Sequence, residues 1–137
     1  MEKTFGIIKP DAVKGKYTGK ILSRIEDEGF CIKGLKKVNL SREVAERFYY
    51  VHKDKPFFNA LTSFMSSGPS VLMVLEKDNA IRSWRDVMGA TDPSKARDGT
   101  LREKYGSNIE NNAVHGSDAE DTANFEIGFF FSGSELI

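Results

Sequence analysis

Apolar positions along this chain fall into short dense runs, separated by stretches in which they recur at helical spacing. Phe5 to Ile8 and Val71 to Leu75 are continuous apolar runs closed by charge or proline, the pattern of buried strands. Phe30 and Ile32 begin a third candidate strand. Between the first strand and this one, Ile21, Leu22 and Ile25 share a helical face, and Gly29 follows as a left-handed stop. Ser41 can cap a helix carrying Val44, Phe48 and Val51 on one side. Pro56 can open another with Leu61, Phe64 and Met65, ended by Gly68-Pro69. Asp78 can cap a helix that aligns Ile81, Trp84 and Met88 and stops at Gly89. Residues 89–113 are poor in apolar positions and read as a long loop with one helical turn near Leu101 to Tyr105. Loops of this length inside a compact chain usually carry function. Asp118 offers the cap of a last helix, with Glu120 and Asp121 in its first turn and Ala119, Ala123, Ile127 and Phe130 on one face.

Few strands alternating with numerous helices predict a small α/β sandwich, an α+β arrangement with helices on one face of the sheet. The order fits a ferredoxin-like βαββαβ core, an antiparallel four-stranded sheet with added helices. A chain of 137 residues holds one sizeable core, so a single domain over 1–137 is expected.

Charge narrows the possible partners. Acidic and basic side chains balance at 20 each, which removes the diffuse positive field that draws proteins to nucleic acid or anionic membrane. Any anion site must be local, and no specific nucleic-acid partner is expected. The single cysteine, Cys31, excludes an internal disulfide and any zinc site needing several thiolates, and its apolar surroundings predict a buried structural thiol. The apolar run before Lys9 and Pro10 is too short for a secretory signal and no segment approaches transmembrane length, so a cytoplasmic protein with no membrane contact is expected.

Several routes to phosphate and acyl chemistry are absent. Gly15 to Ile21 looks like a phosphate loop but is one residue short and lacks the final Ser or Thr. No dinucleotide-binding glycine fingerprint and no nucleophile elbow are present. What remains is Asn112-Ala113-Val114-His115-Gly116-Ser117-Asp118, a histidine between a polar loop and a helix start. An imidazole is partly neutral at physiological pH and attacks phosphorus when one ring nitrogen is free and the other is held by an acceptor. Gly116 would leave room for a phosphoryl group, and Glu126 is the candidate acceptor. For His115 taken alone the alternative is a structural histidine. His52 is as readily a solvated surface residue as one facing a ligand. A histidine that attacks phosphate needs cations to stabilise charge on the transferring oxygens. Lys9, Arg85 and Arg102 are the candidates, though spacing alone does not single them out and each can also be read as an exposed basic residue.

Four segments in order, Ile7-Ile8-Lys9-Pro10-Asp11, Tyr49 to His52 with Lys55-Pro56-Phe57-Phe58, Met88 to Pro93, and Asn112 to Asp118, resemble the nucleoside diphosphate kinase family. The resemblance spans essentially the whole chain. It implies that His115 is the phosphorylated nucleophile, that Glu126 orients it, and that Ser117 supports the reacting group. It places Lys9 on the transferred phosphate and ribose with Tyr49 holding the geometry beside it. Arg85, Thr91 and Arg102 would hold the phosphates with His52 nearby, Asn112 the sugar hydroxyl, and Phe57 and Ile109 the two faces of the base. An apolar sandwich discriminates bases poorly, so broad specificity follows. The resemblance further implies Mg2+ brought mainly by the nucleotide phosphates, a ping-pong cycle in which ATP and other nucleoside triphosphates donate to nucleoside diphosphates, and a homo-oligomer, a tetramer before a hexamer. Asp98, Glu103-Lys104 and Asn111 depart from the commoner family residues and bear on the rigidity and subunit contacts of the loop. Two rivals remain at this point, a non-catalytic nucleotide-binding module and a nucleic-acid-binding protein on a ferredoxin-like fold.

Overall fold

In the computed structural model, which describes residues 1–137, four strands form one antiparallel sheet in the order β2-β3-β1-β4. They are β1 (Glu2–Ile8), β2 (Cys31–Asn39), β3 (Pro69–Lys77) and β4 (Val114–Gly116). The helices are α1 (Pro10–Lys14), α2 (Thr18–Asp27), α3 (Arg42–Phe48), α4 (Phe58–Met65), α5 (Ala80–Met88), α6 (Leu101–Tyr105) and α7 (Glu120–Phe130). This is the expected ferredoxin-like order, with α3 and α4 inserted between β2 and β3. Central β1 pairs Phe5 with Val74 and Ile7 with Leu72 on one side, and Ile7 with His115 on the other.

Helices cover both faces of the sheet, which corrects the expectation of a single covered face. Ile8, Val71, Met73 and Leu75 pack with Ile21, Ile25, Trp84 and Leu101 from α2, α5 and α6. Phe5, Ile7, Leu72 and Val74 pack on the opposite side with Phe48, Met65 and Phe131. Successive strand residues point to opposite faces. When both faces are buried, both sets must be apolar, and the run becomes continuous instead of alternating.

Local signals place most helix ends. Ser41 Oγ accepts from Val44 N at 3.1 Å. Gly29 and Gly89 take φ of 90° and 87°, the left-handed region that lets the chain leave α2 and α5. Other ends differ from expectation. Val51 lies beyond α3 in a 3-10 turn and is exposed. Helix α4 starts two residues after Pro56. Helix α5 is not capped by Asp78: Asn79 enters it at φ 54°, and the first-turn amide of Ile81 donates to Glu2 Oε1 at 2.8 Å. Asp118 does not cap α7 either. Thr122 Oγ1 accepts from Asp118 N and Ala119 N at 3.2 and 3.0 Å, Ala119 is exposed, and the Asp118 carboxylate is left to turn elsewhere. Cys31, expected to be buried, is exposed at the start of edge strand β2.

The 89–113 segment contains the helical turn read from its sequence, now α6, and a 3-10 turn at Pro93–Lys95. Its backbone is tied by side chains. Arg102 Nη1 donates to Gly89 O at 3.0 Å and Nη2 to Val114 O at 2.9 Å, joining the two ends of the loop. Arg24 Nη1 donates to Gly99 O at 2.6 Å, and Glu103 Oε1 accepts from Gly99 N at 3.0 Å. Glu103, one of the departures from the family pattern, thus holds the turn that precedes α6. No helix is long and apolar enough to cross a membrane.

Candidate active site

His115 sits at the centre of β4, a strand too short and too polar in sequence to be recognised as one. Pairing with Ile7 fixes its backbone, and Trp84 Nε1 donates to its carbonyl at 3.1 Å. The following glycine is required by that tryptophan. A Cβ on Gly116 would lie 2.6 Å from both Trp84 Cδ1 and Met88 Cε. The indole fills the direction a side chain would take, so the glycine serves strand-to-helix packing, and its backbone also lines the cleft in front of His115.

The imidazole is held from behind and open in front. Its Nε2 lies 2.9 Å from Glu126 Oε1, and the same oxygen accepts from the buried Ser117 Oγ at 2.7 Å. A carboxylate only accepts, so the ring proton belongs on Nε2 and the lone pair on Nδ1, which has no partner within the chain. Phe48 and Tyr49 meet the ring edge-on, with centroids 5.8 and 6.3 Å away. Burial, with the Glu126 charge second, pushes the Tyr49 phenol well above its ordinary range, so it stays neutral.

In front of the ring lies a cleft of about 590 Å3. Lys9, Arg85 and Arg102 all line it. Lys9 leaves the end of β1, is only 7% exposed, and donates from Nζ to Asn112 Oδ1 at 2.8 Å. Burial first, and then the Arg102 charge, bring its pKa down to about 8. Asp11 and Glu110 act in the opposite direction. Arg102 is lowered by burial and by neighbouring Arg85, to about 10, and remains a cation at neutral pH. Its Nε is buried without a partner. Arg85 stands further out, with Nη1 2.7 Å from Asp118 Oδ1.

The remaining sequence candidates converge on the same cleft. Asn112 bridges Lys9 to the loop, its Nδ2 donating to Thr91 O at 3.0 Å. Phe57 and Ile109 line the mouth with exposed apolar surface, and His52 packs against Phe57 at 5.5 Å between centroids. Ten of the twelve candidates line the cleft; Ser117 and Glu126 stand behind His115. Sequence reasoning passed over Asp118 and Glu110, which also line it, and Asp11 and Trp84, which brace it. Asp118 belongs to the histidine segment and Asp11 to the Lys9 segment, so adjacency to a candidate was the available signal.

Three cations gathered at a half-buried histidine, beneath an apolar mouth, on a ferredoxin-like sheet define an α+β enzyme that handles nucleotides. The family described as nucleoside diphosphate kinase matches residues 2–136. The chain is 57% identical over its whole length to a nucleoside diphosphate kinase of Trichlorobacter lovleyi, covering 99% of that protein, and 58% identical to one of Geobacter sulfurreducens, covering all of it. Among solved structures, the Aquifex aeolicus nucleoside diphosphate kinase superposes with a TM-score of 0.97 at 45% identity, covering 99% of each chain. The Halobacterium salinarum enzyme in complex with CDP superposes at 0.95 and 43% identity, covering 99% of this chain and 91% of that one. The chain belongs to the nucleoside diphosphate kinase family.

Proposed function

We propose that this chain transfers the γ-phosphate of nucleoside triphosphates, chiefly ATP, to nucleoside diphosphates through a phosphohistidine formed on His115 Nδ1. The observation that carries this reading is the asymmetry of the ring: Nε2 is engaged by Glu126, while Nδ1 is free in a cleft lined by three cations. In the first half-reaction the Nδ1 lone pair forms a bond to the γ-phosphorus as the bond to the β,γ-bridging oxygen breaks. The diphosphate departs with that electron pair. The Glu126 carboxylate offsets the positive charge that develops on the ring. Lys9, Arg85 and Arg102 would hold the phosphate oxygens, whose charge spreads as the phosphoryl group moves. In the second half-reaction a terminal oxygen of an incoming diphosphate attacks the same phosphorus and the N–P bond breaks, so donor and acceptor share one site.

Asn112 and Lys9 would meet the sugar, and Phe57 and Ile109 the faces of the base. Neither apolar side chain offers a hydrogen bond that distinguishes one base from another, which supports broad specificity. The donor set also fits Mg2+ carried by the nucleotide. The chain has no cluster of three or more His, Cys, Asp or Glu to cage an ion, and Asp118 and Glu110 are the carboxylates lining the cleft. Mg2+ bound through phosphate oxygens and water would neutralise polyphosphate charge. A cytoplasmic homo-oligomer, a tetramer before a hexamer, belongs to the same reading, and sedimentation of the purified chain tests the assembly.

Label transfer from γ-labelled ATP with Mg2+ tests the chemistry. The expected result is an acid-labile, alkali-stable label that several different diphosphates discharge and that His115→Ala abolishes. ATP binding without label on the wild-type chain would overturn the reading.

A further inference from the structure

Ala113 stands two residues before His115 with φ 74°, a conformation that side chains bearing a Cβ rarely adopt. Nothing in its own sequence favours that state, so its neighbours must impose it. Both of its backbone polar groups are taken by the segment that leaves β1: Lys9 N donates to Ala113 O at 2.8 Å, and Ala113 N donates to Asp11 Oδ2 at 3.1 Å. The first of these bonds prolongs the β1–β4 pairing. The second requires a side chain, and Asp11 supplies it from the first turn of α1.

The carboxylate is costly to keep there. Its Oδ1 is buried with no partner, and burial raises its pKa above the ordinary carboxylate value. Burying a carboxylate costs free energy unless it is paired or hydrogen-bonded, and here the Lys9 charge and the Ala113 amide are what offset that cost. It lies beside Lys9, and Lys9 in turn grips Asn112, the residue before Ala113.

We propose that Asp11 is a positioning residue of the phosphoryl-transfer site, its carboxylate clamping Ala113 in the left-handed conformation and so fixing where Asn112 and His115 stand relative to Lys9. This rests on the phosphohistidine reading of the site. Asp11 touches neither ring nor nucleotide; it acts through the loop. The charges facing Lys9 are Asp11 from α1, Glu110 from the loop and Arg102 from α6. Removal of the Asp11 charge leaves Glu110 alone to oppose Arg102 and burial.

The test is single-turnover labelling of the purified chain by γ-labelled ATP with Mg2+, comparing wild type, Asp11→Ala and Asp11→Asn across pH. Asp11→Ala loses the acceptor, and its labelling rate at saturating ATP is expected to fall on the order of 100-fold, the scale of a displacement of about 1 Å at a reacting centre. Asp11→Asn keeps an acceptor but no charge. It is expected to recover most of that rate at neutral pH, with the alkaline limb of its pH profile displaced to lower pH. Labelling of Asp11→Ala at the wild-type rate would overturn the clamp. Should Asp11→Ala fail to fold, Asp11→Leu, which keeps side-chain bulk but offers Ala113 N no acceptor, decides: a fall on the order of 100-fold relative to Asp11→Asn supports the clamp, and a rate equal to that of Asp11→Asn overturns it. Absence of label on the wild type would instead sink the phosphohistidine reading, so the two failures are distinguishable.

Discussion

Glu126 Oε1 accepts from His115 Nε2 at 2.9 Å and also holds the buried hydroxyl of Ser117 at 2.7 Å, so one oxygen sets both the tautomer and the angle of the imidazole. The helix that carries it, α7, is held in turn by Ala123 in the core, and Phe131 just past its end packs against Phe5. Carboxylates that orient metal-bound histidines are typically worth about 10–100-fold in metal affinity or activity, and a nucleophilic histidine should depend on its orienting carboxylate to a similar extent. Glu126→Gln should therefore lower kcat by roughly that factor with little change in KM, because nucleotide contacts are untouched. Steady-state kinetics with ADP and a second diphosphate check it. Loss confined to KM would remove Glu126 from the chemistry.

Lys9 gives the site its pH dependence. Its pKa falls from 10.5 to about 8 on folding, with burial the larger cause. Between those values the unfolded chain binds more protons than the folded one, so the Lys9 contribution to stability rises with pH through this window and is lost as pH falls through about 8. On the proposed reading activity runs the other way, since the ammonium would be the form that meets phosphate. We expect kcat/KM to decline above about pH 8, with the kcat limb at higher pH because bound phosphate favours the charged amine. In Lys9→Met the rise in denaturation midpoint between pH 8 and 10.5 should disappear along with activity. Persistence of that rise would assign it to another group.

How much of this was legible in the chain varies with the physical origin of each feature. Strands β1 and β3 were visible as apolar runs, and their continuity already required two covered faces, an implication that the single-face expectation overlooked. Strand β4 was not visible, because three residues containing one histidine and one glycine show no period, and only pairing with Gly6, Ile7 and Ile8 of β1 makes them a strand. Caps at Asp78 and Asp118 were misplaced because Glu2 and Thr122 supply the oxygens instead, the first from far along the sequence. In the site, His115 and Glu126 were reachable from spacing and chemistry. Lys9, Arg85 and Arg102 became choices among many cations only through the family resemblance, since what sets them apart is convergence and burial, which exist only in the folded chain.

Gly116 offers a structural test independent of turnover. Trp84 fills the space beneath it, and a methyl group there would meet the indole and Met88 Cε at 2.6 Å. Because Trp84 is fully buried, relief requires a shift of β4 or α5. Overpacking of this kind costs about 1–3 kcal/mol. Gly116→Ala should lower the denaturant midpoint accordingly, and it should slow labelling of His115 because the Trp84 bond to the His115 carbonyl is displaced. Wild-type stability in this variant would show that the site has slack that the contacts do not suggest.

Asp118 and Arg85 pose the last question, that of an anion occupying a guanidinium that the proposed reaction assigns to phosphate. Their 2.7 Å contact lies on the cleft wall with side chains 50% and 80% exposed, Arg85 and Asp118 respectively, so it contributes little to folding. Asp118 nevertheless partly offsets the repulsion between Arg85 and Arg102 that an empty cleft would feel. On the proposed reading, a diphosphate entering the cleft would compete with Asp118 for Arg85. Asp118→Asn should therefore leave the melting temperature nearly unchanged while tightening diphosphate binding by about two- to five-fold, the range of an exposed ion pair. Calorimetric titration with ADP at low and high salt checks both magnitude and origin, since the gain should shrink as ionic strength screens the pair. Weaker binding in the variant would mean instead that Asp118 holds Arg85 in the orientation that phosphate needs.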